Sequence, residues 1–268
     1  MLQTETIAVC DSQGAAYREA FQTFLDHTDQ KEQAREWLNR LVDSLSRRRV
    51  FIDAGAGNGK VTAWFTDRFQ RTIAIEPNPH LRRELAESCP KAELISDGIL
   101  TAMLANSADF VLCSHVFYYI DRAAWLATLE SLASWLAPGG SLVVVLQNHE
   151  SDCMRMLDRF YGRRFDLSQL AAEFRETLGE RYRVDLETSP AAIQTSDFAA
   201  AATIAEFMLN LLPLGSEADA AEADDELQRF PAPGRDEVAR YIRQHFADGG
   251  GGFRFSCNQD FLLVRRGD

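Results

Sequence analysis

Val50-Phe51-Ile52-Asp53-Ala54-Gly55-Ala56-Gly57-Asn58-Gly59-Lys60, followed by Ile73-Ala74-Ile75-Glu76-Pro77, decides how this chain is read. Three apolar residues and an acid end a buried strand, glycines at alternate positions form a tight turn, and the amphipathic stretch from Lys60 to Phe69 predicts a helix. A second apolar strand ends on Glu76, twenty-one residues after Gly55, where a carboxylate can accept both hydroxyls of a ribose. Together these features describe a pocket for a nucleotide-type cofactor.

Glycine spacing separates the possible cofactors. A dinucleotide fingerprint, G-x-G-x-x-G, uses its third glycine to let the helix close on the sheet with its N-terminus facing a pyrophosphate. This chain has D-x-G-x-G-x-G instead, with Asp53 placed to face a cationic group, a pattern that suits S-adenosylmethionine (SAM) better than NAD. Downstream, Glu93-Leu94-Ile95 reads as a third strand closed by Ser96-Asp97-Gly98, where an acid can take an adenine amino group. Ala108 to His115 reads as a fourth strand, Leu136-Ala137-Pro138-Gly139-Gly140 as a turn, and Ser141 to Leu146 as a fifth strand. Strands separated by helical patterns imply a parallel α/β sheet with helices on both faces and ligands beyond the carboxyl ends of the strands. Asp53, Glu76, Asp97 and His115 all fall at such ends. The expected cofactor contacts in these runs are Asp53, Gly55, Ala56, Gly57, Asn58, Glu76, Pro77, Asp97 and Gly98.

Over residues 48 to 148 the order of these motifs resembles the class I SAM-dependent methyltransferases. Shorter stretches resemble one branch of that superfamily, histamine N-methyltransferase: Tyr17 to Thr28, Val116-Phe117-Tyr118-Tyr119-Ile120, Phe160 to Phe165, and Phe261 to Val264. The resemblance implies a Rossmann-like, mostly parallel sheet of seven strands. It also implies Gly55, Glu76 and Ser114 as cofactor contacts and an N-terminal helical lid carrying the aromatic residues Tyr17 and Phe21. Where that branch reads its amine, this chain departs: Gln30 replaces a glutamate, His115 a glutamine, Cys257 an asparagine, and Met154 and Asp158 two tryptophans. The expected acceptor is therefore not histamine but another small polar metabolite or natural-product intermediate, methylated on an amine nitrogen or, as the alternative, on oxygen. The residues expected to line its site are Tyr17, Phe21, Gln30, His115, Tyr118, Tyr119 and Cys257.

A methyl donor already activated leaves the protein to position a nucleophile and accept a proton. His115 and Tyr118 are the expected catalytic pair, with a hydrogen-bonded core histidine as the alternative for His115. Two other readings stay open: a SAM-consuming cyclase that expels methylthioadenosine, with the aromatic residues holding the sulfonium, and a non-catalytic SAM-binding protein.

The chain has 268 residues, 46% of them hydrophobic, and is read as a single domain: 1–48 a helical lid, 49–148 the cofactor core, and 149–268 substrate-side helices and last strands. A net charge of -12 disfavours nucleic acid and anionic membranes as partners, leaving a small-molecule substrate. Arg47-Arg48-Arg49 is expected as a solvated helix end. Five scattered cysteines, Cys10, Cys89, Cys113, Cys153 and Cys257, and five scattered histidines predict reduced thiols and no metal. No leader-like or spanning apolar segment is read, so the expectation is a cytoplasmic protein, with a monomer favoured.

Helical spacing predicts two helices over 15–46 and further helices over 166–178 and 197–212, with Asp166 and Ser196 as N-caps and a strand over 181–187 between them. Ser216 to Glu226, with six acids among small residues, reads as a surface loop. Phe253 to Arg265 reads as a hairpin or one long strand at the sheet edge.

Overall fold

The computed structural model describes residues 5–9, 14–105, 107–212, 214–215 and 230–267; Cys10 and the acidic stretch from Ser216 to Glu226 lie outside them. The strands in chain order are β1 (Val50–Ala54), β2 (Arg71–Ile75), β3 (Glu93–Ile95), β4 (Ala108–Ser114), β5 (Leu136–Gln147), β6 (Tyr182–Ser189), β7 (Ala192–Thr195), β8 (Leu214–Gly215), β9 (Phe230–Pro231), β10 (Phe253–Ser256) and β11 (Gln259–Arg266). The helices are α1 (Ala15–Asp26), α2 (Gln30–Ser44), α3 (Pro79–Ser88), α4 (Trp125–Ser134), α5 (Asp152–Tyr161), α6 (Leu167–Leu178), α7 (Phe198–Leu209) and α8 (Arg235–His245). The chain divides into two compact units. One comprises Met1–Gln33, Gln147–Phe165 and Pro190–Gln259; the other comprises Ala34–Leu146, Asp166–Ser189 and Asp260–Asp268.

The second unit is built on a seven-stranded sheet of order β3-β2-β1-β4-β5-β11-β6. Its β3-β2-β1-β4-β5 portion is parallel throughout. Ala54 lies opposite Ile75, and Ile75 opposite Ile95, so the residues that follow β1, β2 and β3 emerge along one edge. Strand order reverses between β1 and β4, the switch point at which open α/β sheets bind ligands. The helical spacing of α2 presents Trp37, Leu38, Leu41 and Val42 to a core that contains Phe51, Phe65, Phe69, Phe110 and Phe261. Trp37 stacks on Phe261 with centroids 4.3 Å apart, and Phe51 on Phe110 at 5.3 Å. Such ring pairs contribute about 0.5–1.5 kcal/mol each beyond the area they bury.

Four sequence expectations are corrected. Residues 60–69 do not form an α-helix; two 3-10 turns, Thr62–Trp64 and Thr66–Arg68, stand there. The apolar spacing is kept, since Phe65 and Phe69 are both buried. However, Thr62 gives its hydroxyl to Asp53 and Thr66 gives its own to the Thr62 carbonyl, and such side-chain bonds compete with a regular helix.

Pro138-Gly139-Gly140 does not form a turn outside the sheet but lies within β5. Ala108 pairs with Leu136 while Phe110 pairs with Ser141, so the extra residues form a bulge. The N-cap of α7 is Asp197, whose carboxylate accepts from the Ala200 amide, rather than Ser196. Asp166 caps α6 as expected, accepting from the Ser168 and Gln169 amides.

Finally, β10 and β11 make neither a hairpin nor an edge strand. β10 pairs antiparallel with β7 in a separate sheet, and β11 runs between β5 and β6. Phe261 to Val264 are all buried, in keeping with a strand inside the sheet and covered on both faces.

In the first unit, α1 packs on α7 through Tyr17, Phe21 and Phe24, whose rings surround Phe207 at 5.2, 5.5 and 5.6 Å. In the second, the basic run after α2 frames a single buried acid. Asp109 accepts from the Arg49 and Val50 amides and forms ion pairs with the half-exposed guanidinium groups of Arg47 and Arg49. Among the described residues no helix is long and apolar enough to cross a membrane.

Candidate active site

β1 delivers Asp53 and then turns sharply. Gly55 has φ +85°, and its amide and that of Ala56 both donate to the Ile75 carbonyl, at 2.9 and 3.0 Å, tying the turn to the end of β2. A Cβ on Gly55 would lie 2.3 Å from Cγ2 of Val116, so only glycine fits. Gly57, with φ +56°, is different: a Cβ there would meet nothing within 4 Å, and the space beside the turn is open. The Gly57 amide donates to Oε2 of Glu76 at 2.8 Å.

Glu76, only 6% exposed, brackets this turn. Its Oε1 accepts from the Asn78 amide at 2.8 Å, so each carboxylate oxygen carries one backbone N–H and keeps acceptor capacity for a hydroxyl. Asn78 in turn caps α3 by accepting from the His80 and Leu81 amides. Pro77 and Asp97 are exposed, and the Gly98 carbonyl accepts from the Thr101 and Ala102 amides in the loop after β3.

Asp53 is 2% exposed, and its Oδ2 accepts from the Thr62 hydroxyl at 2.6 Å. Burial pushes its carboxyl from 3.8 up to about 7; the Thr62 bond pulls it back and the charge of Glu76 pushes it further up. Among the described residues, no basic side chain pairs with the carboxylate of Asp53 or of Glu76. Arg82 reaches the Glu76 backbone carbonyl instead.

At the end of β4, Ser114 is half-buried and His115 has φ +59°, the one non-glycine positive φ among the described residues. Histidine tolerates this region better than most residues, and such strain, about 1–3 kcal/mol, concentrates at functional sites. The His115 amide donates to the Val145 carbonyl at 2.8 Å, holding the turn that puts Val116 against Gly55. Its Nδ1 lies 3.4 Å from the Tyr118 hydroxyl, and the two rings stack at 5.9 Å. Tyr118 is buried, whereas Tyr119 is 53% exposed.

The structure thus brings Asp53, Gly55, Ala56, Gly57, Glu76, Ser114, His115 and Tyr118 onto neighbouring strand ends of the second unit. Tyr17, Phe21, Gln30 and Cys257 belong to the first unit. There Gln30 is buried and its Nε2 donates to the Cys257 carbonyl at 2.8 Å. The Cys257 thiol, 3.3 Å from the Thr28 hydroxyl, is pushed up to about 12 by burial. In α5, Met154 is buried and Asp158 exposed.

Thr62 and Val116 shape the site although neither stands in a cofactor-binding motif of the sequence. Thr62 carries no motif of its own, and its link to Asp53 depends on the 3-10 geometry. Among the described residues no group of histidine, cysteine, aspartate or glutamate is arranged to hold a metal ion.

Residues 25–182 match the family model for a methyltransferase domain. An uncharacterized methyltransferase of Alkaliphilus oremlandii is 23% identical over 134 residues, covering 49% of this chain and 62% of that protein. The chain spans less than two thirds of the length of the curated relatives it matches. Among solved structures, the YcgJ protein of Bacillus subtilis superposes with a TM-score of 0.59 at 13% identity, over 86% of this chain and 98% of that one. The N-methyltransferase NodS of Bradyrhizobium japonicum WM9, in complex with S-adenosyl-L-homocysteine, superposes with a TM-score of 0.56 at 14% identity, over 95% of this chain and 100% of NodS. These likenesses establish a shared fold.

Proposed function

This chain belongs to the methyltransferase-domain family, and on that premise we propose that it transfers a methyl group from SAM to the nitrogen of a small polar amine. The observation that carries this reading is a pair of buried carboxylates, Asp53 and Glu76, beside an open glycine turn, with no basic side chain among the described residues paired to either. Such a site is complementary to a cation that also carries ribose hydroxyls. The residues suit SAM on three counts: the open side of Gly57 admits a ligand close to the backbone, Glu76 retains acceptor capacity on both oxygens, and Asp53 has no countercharge among the described residues.

Bound SAM supplies a methyl group already activated by its sulfonium. The protein's part is then to hold the acceptor in line, exclude water and take a proton from the amine, tasks that together supply several kcal/mol. His115 is the residue we assign to the proton, with Tyr118 fixing the orientation of its ring through the Nδ1 contact. Nitrogen is favoured over oxygen because the sequence resembles the histamine branch and because NodS, a structural neighbour, is an N-methyltransferase.

Mass spectrometry of the purified protein incubated with SAM, alone and then with pooled small amines and acids, tests the reading. S-adenosylhomocysteine formed only with the pool is the expected result, the acceptor being identified by its added mass. Methylthioadenosine accumulating without the pool, above spontaneous breakdown, would replace methyl transfer by cyclisation of the cofactor. His115→Asn, which tolerates the positive φ, should leave the SAM dissociation constant within about threefold while lowering turnover by about 100-fold or more. Wild-type turnover in this variant would remove His115 from the reaction.

A further inference from the structure

We infer that Asp53 couples cofactor binding to proton release: its carboxyl holds a proton while the pocket contains no cation and loses it to solvent when cationic SAM enters. The inference rests on the reading above that this pocket takes SAM, and it goes beyond that reading in assigning a protonation change to one buried side chain.

The geometry makes the carboxyl hard to ionise without a neighbouring cation. Asp53 lies on β1 with β2 on one side and β4 on the other, and is 2% exposed. The segment after the glycine turn presents Thr62, fully buried, whose hydroxyl donates at 2.6 Å. The end of β2 presents Glu76, a second buried acid. The residue after α3 presents the buried thiol of Cys89, which burial pushes up and the Thr66 hydroxyl pulls back; β4 pairs Leu112 with Asp53, and the buried thiol of Cys113, one residue on, is also pushed up by burial. The Arg82 guanidinium donates to the Glu76 and Pro77 backbone carbonyls. Among the described residues one hydroxyl, that of Thr62, donates to Asp53, and burial and Glu76 both oppose a negative charge there, which agrees with a carboxyl raised to about 7.

A sulfonium or ammonium entering beside Asp53 reverses this balance, since a nearby opposite charge favours the ionised acid. Because the bound form is the carboxylate, affinity rises with pH until the carboxyl of the free protein is ionised, then levels off. With a midpoint near 7, about a tenth of the protein is ionised one unit below it and about nine tenths one unit above it, so binding should be about tenfold tighter at pH 8 than at pH 6.

Isothermal titration calorimetry of the full chain with SAM, at pH 6, 7 and 8 and in two buffers of different ionisation enthalpy, counts the protons directly. Close to one proton released per SAM at pH 6, falling toward none from this group at pH 8, is the expected result. Asp53→Asn should abolish that release. Any pH dependence it retains belongs to the α-amino group of SAM, which titrates near 8 and is common to both proteins. Thr62→Val should move the midpoint of release to higher pH, since the lost hydroxyl favoured the ionised form. SAM binding with no proton released at pH 6 and an affinity unchanged between pH 6 and 8 would overturn the inference and leave the cofactor assignment standing. Failure of SAM to bind at any pH would overturn that assignment itself. The proton count on the wild-type protein decides between these outcomes even if both variants fold poorly.

Discussion

Gly55→Ala is expected to cost about 2–5 kcal/mol and to weaken SAM binding by roughly 100-fold. Two penalties add. An L-residue held at positive φ costs roughly 1–2 kcal/mol, and at φ +85° the position has no relief from its own backbone, because the Gly55 amide is committed to the Ile75 carbonyl. The new Cβ would also stand 2.3 Å from Cγ2 of Val116, a β-branched side chain that is stiff at χ1. Overpacking of this kind typically costs roughly 1–3 kcal/mol.

Thermal denaturation should show a fall of roughly 4–20 °C. Calorimetry should show the loss of affinity, about 3 kcal/mol of strain corresponding to that hundredfold. Adding Val116→Ala removes Cγ2 and should restore part of both losses, with the backbone strain remaining. An unchanged melting temperature and unchanged SAM affinity in the single variant would show that the turn is not the cofactor cradle and that Val116 yields freely.

Glu76→Ala should weaken SAM binding by roughly 100- to 1000-fold. The carboxylate holds the Gly57 and Asn78 amides at 2.8 Å each, and hydrogen bonds to charged groups contribute about 1.5–3 kcal/mol each. Its removal therefore loosens the glycine turn and the start of α3 in addition to deleting the acceptor for the ribose. Glu76→Gln distinguishes the two contributions: an amide oxygen can satisfy one backbone N–H, but the NH2 group faces the other, so an intermediate loss of about tenfold is expected. Glu76 also raises the Asp53 carboxyl, so Glu76→Ala should shift any SAM-linked proton release to lower pH. Wild-type affinity in Glu76→Ala would reduce the residue to a structural bracket.

The parallel core is legible in the sequence because its signals are local. Val50 to Asp53, Ile73 to Ile75, Glu93 to Ile95 and Ala108 to Ser114 are short apolar runs bounded by polar or glycine residues, and the structure has β1 to β4 over these positions. Glycine at 55, 57 and 59 marks a turn because those positions have positive φ, a property of the residue itself. Asp166 caps α6 for a similar reason, its side chain reaching amides two and three residues on. The chain from 60 to 69 shows the limit of such reasoning. Its apolar spacing is helical, yet Thr62 finds Asp53 nine residues away and the segment breaks into two 3-10 turns.

The acidic and glycine character of the cofactor side is written in the order of residues 50 to 77, because strand, turn and strand-end acid are neighbours along the chain and their chemistry follows from residue type. The sequence by itself therefore determines a parallel α/β core, a glycine turn and the strand ends that carry acids. Tertiary structure alone decides which polar groups meet. Gln30 donates to the carbonyl of Cys257, 227 residues away; β11 enters between β5 and β6 although β10 pairs elsewhere; and Val116 closes on Gly55 because His115 adopts a left-handed backbone. These outcomes depend on long-range register and on which buried group is left without a countercharge. Both quantities are set by the whole packed core, and no local spacing encodes them.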